Sequence, residues 1–359
     1  MSKHQISSGA DYAPTADAVK VVEPGGFVFA SAFLDHGHIY GQTNGLKDAG
    51  GTLKWVYDPD PAKVAAFVEK NPGVQVAESY DRILNDGEVR MVNAAAVPSE
   101  RADIGFKALQ AGKDYFTDKS PFTTLEQLEA ARKLVAATGR RYMVYYSERL
   151  HNEAGMKAGE LIAAGAVGRV LQVVNLAPHR LSKDARPGWF FDKEKYGGIL
   201  TDIGSHQFEQ FLHYTGAKDA TINFARVENF NNPDKPGLED FGEASLTADT
   251  GASFYCRLDW FTPDGSPAWG DGRTFVIGTE GTMEVRKYMD PCRQAPDSRI
   301  FLTNGNEQQE IECFEKVGFP FFGELILDCM NRTENAMTQR HAFKAAELSL
   351  KAQAMADKR

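Results

Sequence analysis

The sequence predicts an α/β chain of two parts. The first is a doubly wound domain with a parallel sheet. The second is an α+β domain built on a large, mostly antiparallel, open sheet. Three observations carry this. The chain has 359 residues, about twice the usual domain length. From Gly26 to about Met143, short apolar runs alternate with amphipathic helical stretches, the pattern of right-handed βαβ units. After about residue 151, strand-like stretches follow one another with Gly or Asp turns between them.

The elements follow in order. Phe27–Ala32 (FVFASA) is a continuous apolar run, as expected of a strand buried on both faces. A helix is expected from His38 to Ala49, stopped by Gly50-Gly51. Thr52–Tyr57 is the next strand. In Asp58-Pro59-Asp60-Pro61, Asp60 reads as N-cap and Pro61 as the first helical residue, with Val64, Phe67 and Val68 on one face. Asn71-Pro72-Gly73 ends that helix. Ser79 caps a short helix through Leu84, and Val89–Val97 is a strong strand. Ser99 is read as the cap of a helix to Ala111, closed by Gly112. Asp114–Asp118 is a strand. Thr123 and Glu126 suggest a capping box for a helix to Thr138, and Arg140–Tyr146 is another strand.

A helix over Glu153–Ala163 opens the second part. Strands are expected over 169–177, 221–230, 243–250, 252–261, 274–279, 282–288 and 299–304, and two helices over about 321–331 and 338–356. The expected organisation is an arm over 1–24, a first domain over 25–150 and a second over 151–359, whose final helices can return to the first. An exposed antiparallel sheet invites cover, so a homodimer or homotetramer through that sheet is expected.

Composition narrows the function. The net charge is −9 and no Lys/Arg block stands out, which argues against nucleic acid and anionic membranes as partners. Cys256, Cys292, Cys313 and Cys329 contain no C-x-x-C pair, so neither a zinc site nor a disulfide framework is indicated. Reduced thiols and a cytoplasmic location fit better. No apolar run approaches the ~20 residues of a membrane span. Residues 1–24 are polar and lack the apolar stretch of a signal peptide.

In an open parallel sheet, ligands bind beyond the carboxyl ends of the strands. The first such end is Phe33, Leu34, Asp35, His36, Gly37, His38. A dinucleotide site would carry G-x-G-x-x-G here. Phe33, Asp35 and His38 stand in the places of the three glycines, and Asp35 would repel a pyrophosphate unless it turned away. His36 and His38 either donate to phosphate or are ordinary polar groups of the turn. Asp58 ends the second strand, where a carboxylate accepts from the adenosine ribose and repels a 2′-phosphate, which favours NAD over NADP. Ala96 and Pro98 end the third strong strand, where small side chains can pack on the nicotinamide half. Asp118 and Lys119 end the next.

GGILTDIGSHQFEQFLHYTG (197–216) places Asp202 and His206 four residues apart, on one face if helical. Such a His either exchanges a hydroxyl proton or is a satisfied buried residue. Arg149, His179, Arg180 and Trp189 have the hydrogen-bonding and aromatic character that suits a polyol pocket; Arg186 can equally be a solvated charge. Trp260 and Trp269 read as structural or interfacial, and Phe321, Phe322 and Leu325 as core. His36, His38 and Asp35 crowd one turn without making a convincing metal-ligand set, so no metal is expected.

Taken together, DKSP (Asp118–Pro121) and TDIGSH (201–206) resemble the E-K-P and D-I-G-x-H signatures of the glucose-fructose oxidoreductase, inositol dehydrogenase and rhizopine catabolism (Gfo/Idh/MocA) family, over about residues 26–355. Asp118 replaces Glu, Ser120 precedes Pro121, and the glycine loop is a departure. The resemblance implies a Rossmann domain, a nicotinamide cofactor bound by the first turn, Asp58, Ala96, Pro98, Asp118 and Lys119, and hydride transfer at a secondary alcohol of a sugar, cyclitol or sugar acid. It implies that Lys119 stabilises negative charge on oxygen, that His206 is the general acid/base, and that Asp202 binds a hydroxyl or tunes His206, the three meeting in a cleft between the two parts. A non-catalytic dinucleotide sensor, or an NAD-retaining enzyme that cleaves or epimerises glycosides, are the alternatives.

Overall fold

The computed structural model describes residues 19–293 and 297–358. It divides into two compact units, one of residues 19–145 with 320–342 and one of 146–319 with 343–358. Most of the expected arm, residues 1–18, lies outside the described residues. Residues 19–24 do not form a free arm, because the Val21 N–H donates to the Ala49 carbonyl at 3.0 Å.

The first unit runs β1 (Val28–Ala32), α1 (His38–Asp48), β2 (Thr52–Tyr57), α2 (Pro61–Lys70), β3 (Gln75–Val76), α3 (Tyr80–Leu84), β4 (Met91–Ala94), α4 (Arg101–Gln110), β5 (Asp114–Asp118), α5 (Leu125–Thr138) and β6 (Tyr142–Tyr145). Its six strands lie in the order β3-β2-β1-β4-β5-β6, all parallel. The order reverses between β1 and β4, so the loops that follow these two strands open a crevice at their carboxyl ends. Phe29, Val56, Val92, Phe116 and Val144 are buried among the strands, as their unbroken apolar runs require.

Three details depart from the sequence expectation. The capping box of α5 uses Thr124 and Gln127, not Thr123 and Glu126. The Thr123 N–H also donates to the Gln127 side chain, at 2.9 Å, which draws Thr123 into the cap and starts the helix one residue later. Ser99 does not cap α4; it lies inside a short 3-10 turn, Pro98–Glu100, that Pro98 initiates. The two-residue β3 was not expected, since exposed Gln75 and Val76 carry no alternating pattern.

The second unit runs α6 (Ser147–Leu150), α7 (Glu153–Ala163), β7 (Val170–Pro178), α8 (Lys193–Tyr196), α9 (Ile199–Asp202), α10 (Gly204–Thr215), β8 (Ala220–Glu228), β9 (Phe241–Ala248), β10 (Ser253–Asp259), β11 (Arg273–Gly278), β12 (Gly281–Arg286), β13 (Arg299–Asn304) and β14 (Gln308–Glu312). The strands form one sheet in the order β14-β13-β12-β11-β7-β10-β9-β8. All neighbours are antiparallel except β7 and β10, which are parallel over Gln172–Pro178 and Ser253–Asp259. The polar β14, QQEIE, was missed because its alternation holds a single apolar residue. Helices α7, α9 and α10 pack on this sheet.

α11 (Phe321–Asn331) belongs to the first unit, and α12 (Gln339–Ala356) closes the chain. A Cβ at Gly45 of α1 would fall 2.4 Å from the Phe322 ring, so the glycine admits α11. Phe321, Phe322 and Leu325 are buried. Among the described residues, no helix is long and apolar enough to cross a membrane.

Candidate active site

In the first unit the predicted residues gather at the carboxyl ends of β1, β2, β4 and β5. The turn after β1 keeps the left-handed backbone that a leading glycine would supply, although the residue is Phe33, at φ 57°. Its ring packs edge-on against Tyr57 and Tyr80, with centroids 5.6 and 5.0 Å away. Its N–H donates to the Tyr57 carbonyl at 2.9 Å. Asp58 is buried. Its carboxylate accepts the Leu34 N–H at 2.7 Å and the Asp60 N–H at 2.8 Å. Asp35 does not stand as a bare charge before this turn, because Lys63 donates to it at 2.5 Å.

The next part of the turn is tied to the end of β5. His38 Nδ1 lies 2.8 Å and His36 Nδ1 3.2 Å from the two oxygens of the buried Asp118. Arg101 donates to Asp118 at 3.2 Å, and also to the carbonyls of Ala96, at 2.7 Å, and Ser120, at 3.0 Å. It donates to the Lys119 carbonyl as well, while the Lys119 N–H donates to Asp118 at 2.8 Å. Burial opposes ionisation of Asp118, but His38, Arg101 and His36 outweigh it and hold the carboxyl well below its usual range. Burial, with His38 adding to it, holds the His36 imidazole well below its usual range. Lys119 is thus a buried residue whose backbone is fixed on both sides. Pro98 is buried at the head of its turn.

Arg101 was missed by the sequence reading. Its signal was a cation directly after AVPSE, one turn beyond a strand end.

The donor set can be tested against a dinucleotide. In residues 33–38, the N–H groups of Phe33, Leu34, His36 and His38 are committed to intramolecular acceptors. Among the described residues, those of Asp35 and Gly37 remain at the N-terminus of α1, where the helix dipole favours an anion. Each Asp58 oxygen keeps a lone pair for a ribose hydroxyl. The set fits a dinucleotide, with fewer phosphate donors than a glycine loop gives. His36, His38 and Asp118 also offer two imidazole nitrogens and a carboxylate within 4.8 Å of one another, a zinc-type donor set. The carboxylate, however, already holds a guanidinium and an amide, and His36 Nδ1 accepts the His38 N–H. The three therefore act as a mutual latch.

In the second unit, Asp202 closes α9 and His206 lies in the first turn of α10, both buried. Ile203 between them keeps helical angles, φ −70° and ψ −40°, so the two side chains share a face. Gly198 makes this possible: its φ is 91°, and a Cβ would strike Gln353 at 2.3 Å. The Tyr146 ring stands edge-on to His206 at 6.3 Å.

Glu148, which the sequence reading passed over in favour of its neighbour Arg149, centres a buried polar network. It meets His179 at 3.1 Å, accepts from Gln207 at 2.9 Å, and pairs with Lys287 at 3.3 Å. Burial opposes its ionisation, yet Lys287, the His179 bond and the field of His206 hold it well below the usual carboxylate range.

The other predicted contacts have different company. Arg149 is buried and forks onto Glu209, with two bonds of 2.9 Å from Nε. Arg180 gathers the carbonyls of Pro263, Ser266 and Ala268 at 3.2, 2.7 and 3.1 Å, which pins the loop after β10. Both guanidiniums are thus engaged inside the unit. His179 packs against Trp260 and Trp269, both buried and structural. Trp189 is half-buried beside Phe190, and Arg186 stacks over Phe190 and Trp260.

Residues 29–146 match the oxidoreductase family with an NAD-binding Rossmann fold, and residues 156–284 match the GFO/IDH/MocA C-terminal domain. A structure from Erwinia carotovora atroseptica SCRI1043, described as an oxidoreductase, is 44% identical with a TM-score of 0.89, over 92% of this chain and 98% of that one. A scyllo-inositol 2-dehydrogenase (NAD(+)) of Bacillus subtilis (strain 168) is 26% identical over 66% of each chain. A D-xylose dehydrogenase of Paenarthrobacter nicotinovorans is 28% identical over 45% of each. The chain therefore matches less than two thirds of the length of either dehydrogenase. A levoglucosan dehydrogenase in complex with NADH and levoglucosan shares the fold, with a TM-score of 0.76 at 16% identity over 92% of this chain and 97% of that one.

Proposed function

Because the chain belongs to the GFO/IDH/MocA oxidoreductase family, we propose that it interconverts a secondary alcohol and a ketone on a sugar, cyclitol or sugar acid. A nicotinamide supplies or takes up the hydride. The chain's part is to position the substrate and manage the proton. Lys119 places a cation where negative charge develops on the reacting oxygen. His206 exchanges the hydroxyl proton, and Asp202 holds a neighbouring hydroxyl or orients His206. The observation that carries this reading is the immobilised Lys119: its carbonyl is bound by Arg101 and its N–H by Asp118. Three buried or half-buried side chains, His36, His38 and Arg101, hold the Asp118 carboxylate beside Lys119, a density of support typical of a residue whose position matters to chemistry.

The reading extends to the cofactor. Asp58 faces the first turn with a carboxylate that would accept from a ribose 2′-hydroxyl and repel a 2′-phosphate, so NAD is proposed over NADP. A panel of aldoses, cyclitols and sugar acids, assayed with NAD and with NADP, tests this reading. Absorbance of the reduced nicotinamide should report turnover on at least one aldose, cyclitol or sugar acid. Lys119→Ala and His206→Ala should each lower kcat by about 10²–10⁴-fold with the circular dichroism spectrum intact. Full activity in His206→Ala would remove that residue's role. Tight NADH binding with no turnover on any polyol would favour a dinucleotide sensor instead.

A further inference from the structure

The first unit carries a second polar cavity, of about 540 Å³, at the opposite, amino end of its sheet. Arg90, Lys113, Arg140 and Arg332 line it, with Glu88 as the one acidic group. Their placement follows from the topology. Arg90 immediately precedes β4 and Lys113 immediately precedes β5, while Arg140 stands two residues before β6. These strands are consecutive in the sheet, so about 4.8 Å separates each from the next. The three cations thus form a row fixed by backbone pairing. Arg90 is held within the sheet ladder, its N–H donating to Val28 and its carbonyl accepting from Asp114, both at 2.9 Å.

The charges in this row are not balanced. Lys54 pairs with Asp86 at 2.7 Å and Glu88 at 2.6 Å, and Arg332 takes Asp114 at 2.6 Å. Among the described residues, Lys113 donates to the Asp86 backbone carbonyl, at 2.6 Å. Among the described residues, the guanidiniums of Arg90 and Arg140 make no hydrogen bond or ion pair. Burial lowers the Lys113 ammonium from its usual range; the nearby Asp86 charge opposes that shift and Arg140 adds to it. Such a concentration is uncommon on a chain of net charge −9. The floor is open as well: a Cβ on Gly25, Gly87 or Gly112 would meet nothing within 4 Å, so backbone is accessible between the cations.

We infer that this cavity binds a compact phosphate-bearing anion, held by the guanidinium forks of Arg90 and Arg140 and the ammonium of Lys113. Guanidiniums match phosphate oxygens in pairs, and a row about 10 Å long spans one or two phosphate groups. The site lies at the strand ends opposite the dinucleotide crevice and does not depend on the oxidoreductase reading.

Calorimetric titration of the full chain with inorganic pyrophosphate, at constant ionic strength set by chloride, tests it. Saturable binding with one site per chain is expected. Arg90→Gln with Arg140→Gln should weaken it at least about tenfold, because both side chains are exposed or half-exposed and their loss leaves the fold intact. Lys119→Ala should leave it unchanged, which separates this cavity from the crevice. Absence of saturable heat would overturn the proposal. So would binding that survives the double substitution, or that disappears in Lys119→Ala.

Discussion

Phe33 shows how one residue can satisfy a backbone demand by side-chain packing. A left-handed non-glycine residue costs of order 1–2 kcal/mol, and here two aromatic rings, Tyr57 and Tyr80, which also stack on each other, hold it in place. This gives an unusual ordering of variants. Phe33→Ala loses the ring contacts and keeps the strain, whereas Phe33→Gly loses the same contacts and is relieved of it. Chemical denaturation should therefore find Phe33→Gly more stable than Phe33→Ala by roughly 1 kcal/mol, the reverse of the usual order in regular structure. The opposite order would show that the turn is not strained. The sequence displayed the missing glycine but not its replacement, since Tyr57 and Tyr80 are distant in the chain. Asp35 is similar: its charge was legible, and its pairing with Lys63, 28 residues away, was not.

At the scale of elements, the latch of His36, His38, Asp118 and Arg101 joins the head of α1 to the end of β5. Its protonation links stability to pH. The unfolded chain protonates His36 near its ordinary pKa of about 6.5, while the folded chain resists until lower pH. The stability contributed by neutral His36 is therefore full above about pH 6.5 and is lost as pH falls through the folded value. Asp118, held low by His38, Arg101 and His36, acts further down: its contribution is present above the ordinary carboxylate range and is lost in stronger acid. Lys119 also faces His36 and adds to its downward shift. Urea denaturation at pH 7.5 and 5.5 should show a larger loss for the wild type than for His36→Asn; equal losses would remove His36 from the linkage. Elements with strong apolar periodicity, such as β1, β4 and α7, were legible because burial on one or both faces dictates their composition. Short or polar ones, β3 and β14, owe their strand form to neighbours that a local reading does not see. The capping box of α5 slipped by one residue for the same reason, since T-T-L-E-Q offers two overlapping solutions.

For the molecule as a whole, the two-part order and the sheet types followed from the change of pattern near residue 150. The parallel pairing of β7 with β10 did not, because it joins strands about 80 residues apart and leaves no local trace. That pairing places Val174 between Tyr255 and Phe275, with Leu176 and the exposed Ile277 nearby, all on the face of the sheet away from its buried alternate positions. Arg257 and Arg273 flank Leu176 on the same face. An apolar centre bounded by charged residues is the composition of a protein–protein interface rather than of a surface meant for water. We therefore propose that the chain associates with copies of itself through this face. Light scattering coupled to size exclusion should give the mass of a dimer or tetramer at micromolar concentration. Val174→Arg should shift it toward a single chain, because the buried guanidinium would lack a partner. A wild-type mass of one chain, about 39.6 kDa, would exclude association through this face at that concentration.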